Sequence, residues 1–412
     1  MQNLDNSSIP SLFRRYRNAI PWLVCLIIGI IYYSFSTLLV NNVFAPSSTN
    51  YYTYLLDAFM HGRVNVITPN TYDLSLFHDK WYLSWGPAPL LFIWPFYLIW
   101  GLKTSDVLFT MLGGFTNVIL VYLCIKEMKH YFHLSLALMA ELFVIISFAF
   151  ASPNFFLSLT GSIWFTNQIF AITFLLLFYF FFLKYLNSHK ESYIILSVVF
   201  FSLSSLARAS LLFHGLLFIY IFLDSKIRKK KISQRMIVFS CVIVTFFVCF
   251  AGFYNYLKFQ NVFETGARFV EGSPRFDAIV KSGNFLSVKY VWHNIYYYLL
   301  NIFKIDPEGN SVLMVYPSIL LPIILFFKRK QLDAKKRQFL VIAGVTALIT
   351  FVFLMFYCGT GWIQFGNRYF FDVFPLLLLC LILSMPYLSR PVLLIVMFFG
   401  IIINFLGVLI FL

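Results

Sequence analysis

Apolar runs close to the length of a membrane-spanning helix recur along almost the whole chain, and they decide most of what it can fold into. About 20 apolar residues cross a bilayer as a helix, and such runs are legible at 20–40, 105–125, 134–152, 168–183, 192–207, 209–224, 236–254, 311–327, 339–357, 371–386 and 391–411. Hydrocarbon offers no partner for exposed backbone N–H and C=O groups, so each run must close its own hydrogen bonds. The expected fold is therefore an all-α polytopic membrane protein of about 11 transmembrane helices. Composition agrees: 60% of residues are apolar, 21% aromatic and only 11% charged, which excludes a soluble protein. The first run follows Arg14, Arg15 and Arg17. It is too long for a signal peptide and lacks a small-residue cleavage pattern, so it is expected to be a retained helix. The six cysteines lie in or beside apolar runs without metal-type spacing and give no disulfide framework.

Charge sets the orientation. The stretch 88–102 is apolar but short, is interrupted by Pro95, and is rich in Trp and Tyr, which suits a helix lying at the interface. If it does not cross, one side collects Arg14, Arg15, Arg17, Lys126, Lys129, Lys184, Lys190, the runs Lys226 to Arg235 and Lys328 to Arg337, and Arg390, which is most of the 31 Lys and Arg. That side is cytoplasmic by the positive-inside rule, which puts the amino terminus inside and the carboxyl terminus outside. The net charge of +15 then reflects this bias and contact with anionic lipid, and nucleic acid is not a needed partner. The same assignment places every long, chemically varied loop on the outer face: 41–104, 153–167, 255–310 and 358–370. The chain is expected to be one transmembrane domain over 1–412 with no separate soluble domain. Its first outer loop, Asn41 to Pro87 above all, carries Asp57, His61, Arg63, Asp73, His78, Asp79 and Lys80, more polar groups than a membrane protein keeps without a use.

Three strings in that loop carry a resemblance: Tyr-Leu-Leu-Asp-Ala-Phe-Met-His-Gly-Arg at 54–63, Tyr-Asp-Leu-Ser-Leu-Phe-His-Asp-Lys-Trp-Tyr-Leu at 72–83, and Gly-Pro-Ala-Pro-Leu-Leu-Phe-Ile-Trp-Pro at 86–95. They resemble the first outer loop of bacterial GT-C membrane glycosyltransferases, such as the aminoarabinose transferases and protein mannosyltransferases. The stretches 254–266 and 359–372 look like the same group. The resemblance implies inverting transfer of a sugar from a polyprenyl-phosphate carrier to an acceptor on the outer face of a bacterial inner membrane. The acceptor would be a cell-envelope glycan or lipid, with O-antigen side-branch modification suiting the size, or a protein. A carboxylate would take the proton of the acceptor hydroxyl, and arginines would hold the phosphate leaving group. A nucleotide-binding glycine loop is unnecessary, and none is present. The chain departs from the family where relatives place their catalytic acid, because Ser47 and Ser48 stand there, and 153–167 holds Asn154, Thr160 and Asn167 but no acid.

The catalytic carboxylate must therefore be chosen again. Asp57 would share a helix face with His61 and lies near Arg63, so it is a base or a local ion-pair partner. Asp73, beside Tyr72, is a base or a turn or cap residue. Asp79, in His-Asp-Lys-Trp, reads as a solvated turn tip that could still meet substrate. Arg208 and Arg368 border hydrocarbon and either snorkel to headgroups or bind the carrier phosphate, with Asp372 a partner for Arg368 at helical spacing. His214 is expected to be a buried hydrogen-bonding residue. Within 255–310, Glu264, Arg268 and His293 are candidates for acceptor contacts amid charges that are mostly solvated. The same residues, with a first-loop acid, leave a divalent cation open as a cofactor, although no metal-ligand spacing supports one. Two other functions compete: a transporter or flippase of lipid-linked sugar, which would need charge deep in several spans, with Glu141 the clearest instance, and a non-catalytic scaffold that binds carrier lipid.

Overall fold

The computed structural model describes residues 17–228, 232–272, 279 and 282–412. Arg14, Arg15, Lys229 to Lys231, Arg275, Asp277 and Lys281 lie outside them. Helix α1 (Ile20–Val40) leads into an excursion that contains α2 (Tyr51–Met60), strands β1 (Ser75–Phe77) and β2 (Lys80–Tyr82), and α3 (Leu90–Trp100). Then come α4 (Asp106–Tyr131), α5 (Leu138–Phe150), α6 (Pro153–Ser158), α7 (Ile163–Ser188) and α8 (Glu191–Ala207). A 3-10 run, Ala209–Leu217, continues into α9 (Phe218–Arg228), which is followed by α10 (Gln234–Phe259), α11 (Val291–Ile295), α12 (Ala334–Phe356), α13 (Phe374–Ser384) and α14 (Arg390–Phe411).

Each expected apolar run falls on helix. Among the described residues, seven segments are long and apolar enough to cross a membrane: α1, α4, α7, Ala209–Ile227, α10, α12 and α14. The remaining runs are the shorter apolar helices Leu138–Phe150, Glu191–Ala207, Pro317–Phe327 and Phe374–Tyr387. Helix α3 has 11 residues, about 16 Å at 1.5 Å per residue, half the depth of hydrocarbon. It rests on α2 and buries Leu90 and Ile93, while Leu91, Trp94 and Leu98 stay exposed. Helix α7 is the centre of the bundle, packed between α4 and α8. Helix α10 is its opposite: it leans on α8 and buries only Met236, Tyr254, Lys258 and Phe259. A helix apolar all round and mostly uncovered by protein is solvated by lipid.

The two ends of the bundle differ. At one end the connections are short and the polar ties run between helices: Tyr131 Oη donates to Asp224 (2.6 Å), Asn187 to the Glu127 carboxylate (2.7 Å), and Tyr220 Oη to the Lys335 carbonyl (3.2 Å). Glu141 belongs here. It lies in the first turn of α5, where the helix dipole favours an acid, and it is paired with Lys129. It is therefore not a charge deep in a span. At the other end the long connections interlock: Asn50 donates to the Thr104 carbonyl (2.7 Å), Tyr52 to Asn167 (2.7 Å), Ser75 to the Gly266 carbonyl (2.9 Å), and Asn294 to the carbonyls of Leu354, Met355 and Tyr357 that end α12. The strands form a hairpin across His78 and Asp79, whose φ angles of 46° and 58° give the left-handed two-residue turn that matches strand twist.

Candidate functional site

The interlocked end holds a cleft with two lobes, about 440 Å³ and about 990 Å³. Ser84, Trp85, Trp164, Thr265, Tyr357, Arg368 and Tyr369 line both, so the lobes share a wall. The smaller lobe runs along the ends of α8, α10 and α12 and reaches Ala251, Tyr254 and Phe353. The larger lies under the connections, with Tyr72, Asp73, Phe285, Cys358 and Trp362 in its walls.

The cleft separates the first-loop carboxylates. Asp57 accepts from Tyr97 Oη (2.8 Å) and Arg63 (3.3 Å), and His61 Nδ1 lies 2.8 Å from its carbonyl oxygen. Burial, then the Asp57 carboxylate, push the Tyr97 phenol up. Asp57, His61 and Arg63 form a corner between α2 and α3, and none of them lines either lobe. Asp79 sits at the exposed hairpin tip, also away from the cleft. Asp73 lines the larger lobe. Its φ of 61° is the left-handed conformation that Asp tolerates better than most residues. Its N–H donates to the Glu271 carbonyl (2.8 Å), while Glu271 N donates to the Leu74 carbonyl (3.0 Å). Trp164 Nε1, from the first turn of α7, donates to Asp73 Oδ2 (3.0 Å). Tyr51 Oη donates to the Tyr72 carbonyl (2.7 Å), and burial followed by the Asp73 charge pushes that phenol up.

The arginines share the wall of the smaller lobe but not their partners. Asp372 does not pair with Arg368. It is wholly buried and accepts from Arg208 through Nε (2.9 and 3.1 Å) and Nη2 (2.8 Å), and from Ser210 Oγ (2.5 Å). Residues Arg368–Asp372 are a 3-10 turn, where positions four apart do not share a face as they do in an α-helix. His214 is buried beneath this pair, between Tyr179 Oη and the Asp372 carbonyl. Arg368 is 8% exposed and faces both lobes. Its guanidinium lies over the rings of Phe165 and Tyr369 and is 3.5 Å from Tyr369 Oη, and its Nε has no partner among the described residues. Arg368 is thus a cleft-lining cation held on aromatic faces, with no carboxylate partner among the described residues.

Glu264 and Arg268 pair with each other at 2.6 Å beside the cleft, where the intervening Thr265 reaches both lobes. His293 pairs with Glu308 at 2.9 Å and lines neither lobe. No group of three His, Cys, Asp or Glu side chains lies close enough to hold a metal ion among the described residues.

Three features lay outside the sequence-based expectations. Lys258 is only 2% exposed, its Nζ donates to the Leu83 carbonyl (3.1 Å), and it lies 4.2 Å from the Tyr254 ring centre in the wall of the smaller lobe. Its place four residues after Tyr254 on a helix was the available signal. Trp164 is fixed on Asp73. The third is Asp106, the first residue of α4: at the place where the family resemblance implies an acid, the N–H and Oγ of Ser47 bond Asp106 at 2.7 and 2.5 Å. That carboxylate locks the loop onto α4 and lines neither lobe.

No protein-family model matches the chain, and no curated protein matches it. Solved structures do. ArnT from Cupriavidus metallidurans bound to undecaprenyl phosphate is similar at TM-score 0.51 and 13% identity, over 90% of this chain and 60% of that one. The apo oligosaccharyltransferase from Archaeoglobus fulgidus is similar at TM-score 0.54 and 14% identity, over 97% and 56%. The same organism's AglB with an inhibitory peptide and a dolichol-phosphate gives TM-score 0.53 and 14% identity, over 97% and 56%. The chain thus has the fold of the GT-C glycosyltransferases and spans 56 to 60% of the length of these structures.

Proposed function

We propose that this protein is a membrane glycosyltransferase that takes a sugar from a polyprenyl-phosphate carrier and transfers it, with inversion, to a hydroxyl of a cell-envelope glycan or lipid, O-antigen side branches among them. The observation that carries the proposal is the buried guanidinium of Arg368, which has no carboxylate partner among the described residues, in a wall common to two lobes, one of which also presents Asp73. The donor phosphate meets Arg368 and Lys258 in the smaller lobe, where each cation is otherwise spent on rings and one carbonyl. Asp73 accepts the proton of the acceptor hydroxyl as its oxygen bonds the anomeric carbon. The carbon–oxygen bond to the carrier breaks at the same carbon, and its electron pair leaves on the phosphate. That phosphate gains negative charge as it departs, so Arg368 favours the transition state over the bound donor, with the Lys258 amine a further donor in the same wall. Arg208 also lines the smaller lobe, but Asp372 already neutralises it, so the phosphate is left to Arg368 and Lys258.

The basic end is assigned to the cytoplasm and the cleft to the outer face of the inner membrane, with the amino terminus inside and the carboxyl terminus outside. The ion pair of Glu141 with Lys129 at the basic end removes the clearest mid-membrane charge that transport would use. The test is incubation of the purified protein with radiolabelled polyprenyl-phosphate sugars and envelope extract. Label is expected to move to envelope glycan or lipid and to stop moving with Asp73→Asn. Absence of transfer from every donor would overturn the enzyme, and full transfer by Asp73→Asn would overturn its base.

A further inference from the structure

One face of α7 touches both halves of this chemistry. Trp164 donates to Asp73 Oδ2 (3.0 Å), and Gln168, one turn further along the same helix, donates from Nε2 to the carbonyl of Arg368 (2.6 Å) and to Asp372 Oδ1 (3.4 Å). Residues four apart on an α-helix are neighbours about 6 Å apart on one face. Gln168 is wholly buried, and its Oε1 has no partner among the described residues. An amide buried with its acceptor unused costs stability relative to an apolar side chain of the same size. The benefit must lie in what it donates to. From the opposite side Gln364, also wholly buried, accepts from Arg368 N (3.1 Å) while its Nε2 is held by the carbonyls of Glu308 (2.7 Å) and Thr360 (2.8 Å). The Arg368 backbone is gripped at both ends by glutamine side chains, and its guanidinium alone is left to the cleft.

We infer that Gln168 is a positioning residue: with Trp164 it makes the start of α7 a ruler that fixes Arg368 relative to Asp73. The inference rests on Arg368 being the phosphate anchor. A misplacement of about 1 Å at such a group costs on the order of a hundredfold in rate, so the clamp matters more to donor handling than to folding.

The test compares Gln168→Leu with wild type in lipid nanodiscs. Two quantities are read: steady-state transfer, and binding of undecaprenyl phosphate alone by the fluorescence of the cleft tryptophans, which needs no turnover. Gln168→Leu is expected to weaken donor binding and raise donor KM about tenfold or more with acceptor KM unchanged, and to add nothing once Arg368→Ala is present, because coupled residues are non-additive. If Gln168→Leu fails to fold, Gln364→Met attacks the same backbone from the other side and must give the same split between donor and acceptor. Wild-type donor parameters in either folded variant, or losses that simply add to those of Arg368→Ala, overturn the clamp. A wild type that binds the carrier but transfers no sugar instead overturns the transferase and leaves the clamp decided by the binding data.

Discussion

Arg208 and Arg368 both line the smaller lobe and both lie 5.2 Å from the centre of the Tyr369 ring, yet their partners differ. Arg208 faces a buried carboxylate that takes two of its nitrogens, with a serine hydroxyl completing the arrangement. Arg368 has rings, one distant hydroxyl and an unused donor. The same contrast recurs among the acids: Asp57 is saturated by Tyr97 and Arg63 in a corner away from the cleft, and Asp73 lies in the cleft wall. Of the two arginines, only Arg208 is tied to a carboxylate among the described residues, and of these two acids only Asp73 lines the cleft.

The sharpest way to break this contrast is to exchange the acids for amides. Asp73→Asn should lower transfer about 10² to 10⁴-fold without shifting the unfolding temperature, whereas Asp57→Asn should keep transfer and lose no more than about 1 kcal/mol of stability. Equal losses of transfer from both would erase the distinction. Next in size is the buried pair. Asp372→Asn leaves Arg208 uncompensated and should destabilise the detergent-solubilised protein by about 3–5 kcal/mol, read as a lower melting temperature. Replacing both partners by Met and Leu should recover most of that loss. Arg368→Lys keeps the charge but loses the planar fork. It should weaken undecaprenyl phosphate binding about tenfold, equivalent to about 1.4 kcal/mol, at unchanged melting temperature. Smallest is Asp333→Ala at the basic end, where the Asp333 carboxylate caps α12 by accepting from Lys336 N (2.9 Å). It should cost about 1 kcal/mol and leave transfer untouched.

The helices were legible because hydrocarbon imposes one solution on an apolar run, and α3 was legible as a short apolar helix that contains Pro95. The site was legible only in part. Asp57 and Asp73 look alike locally, and what separates them is Trp164, 91 residues from Asp73, a contact no local pattern carries. Pairing Arg368 with Asp372 assumed α-helical geometry where the backbone is a 3-10 turn. Lys258 looked like a solvated loop charge because the apolar run fades near 254, while α10 continues to Phe259 and holds the ammonium against Tyr254. Glu141 looked central only because the start of α5, at Leu138, leaves no mark in the apolar count.

The wall that the two lobes share has a consequence for kinetics. A ligand that shifts Trp85, Trp164 or Tyr369 from one side reshapes the other side as well, and linkage makes that influence reciprocal. If the proposed transferase fills both lobes at once, it would work through a ternary complex, in which initial-rate lines drawn at different acceptor concentrations intersect instead of running parallel. The acceptor would then act as a switch on how fast the donor is spent.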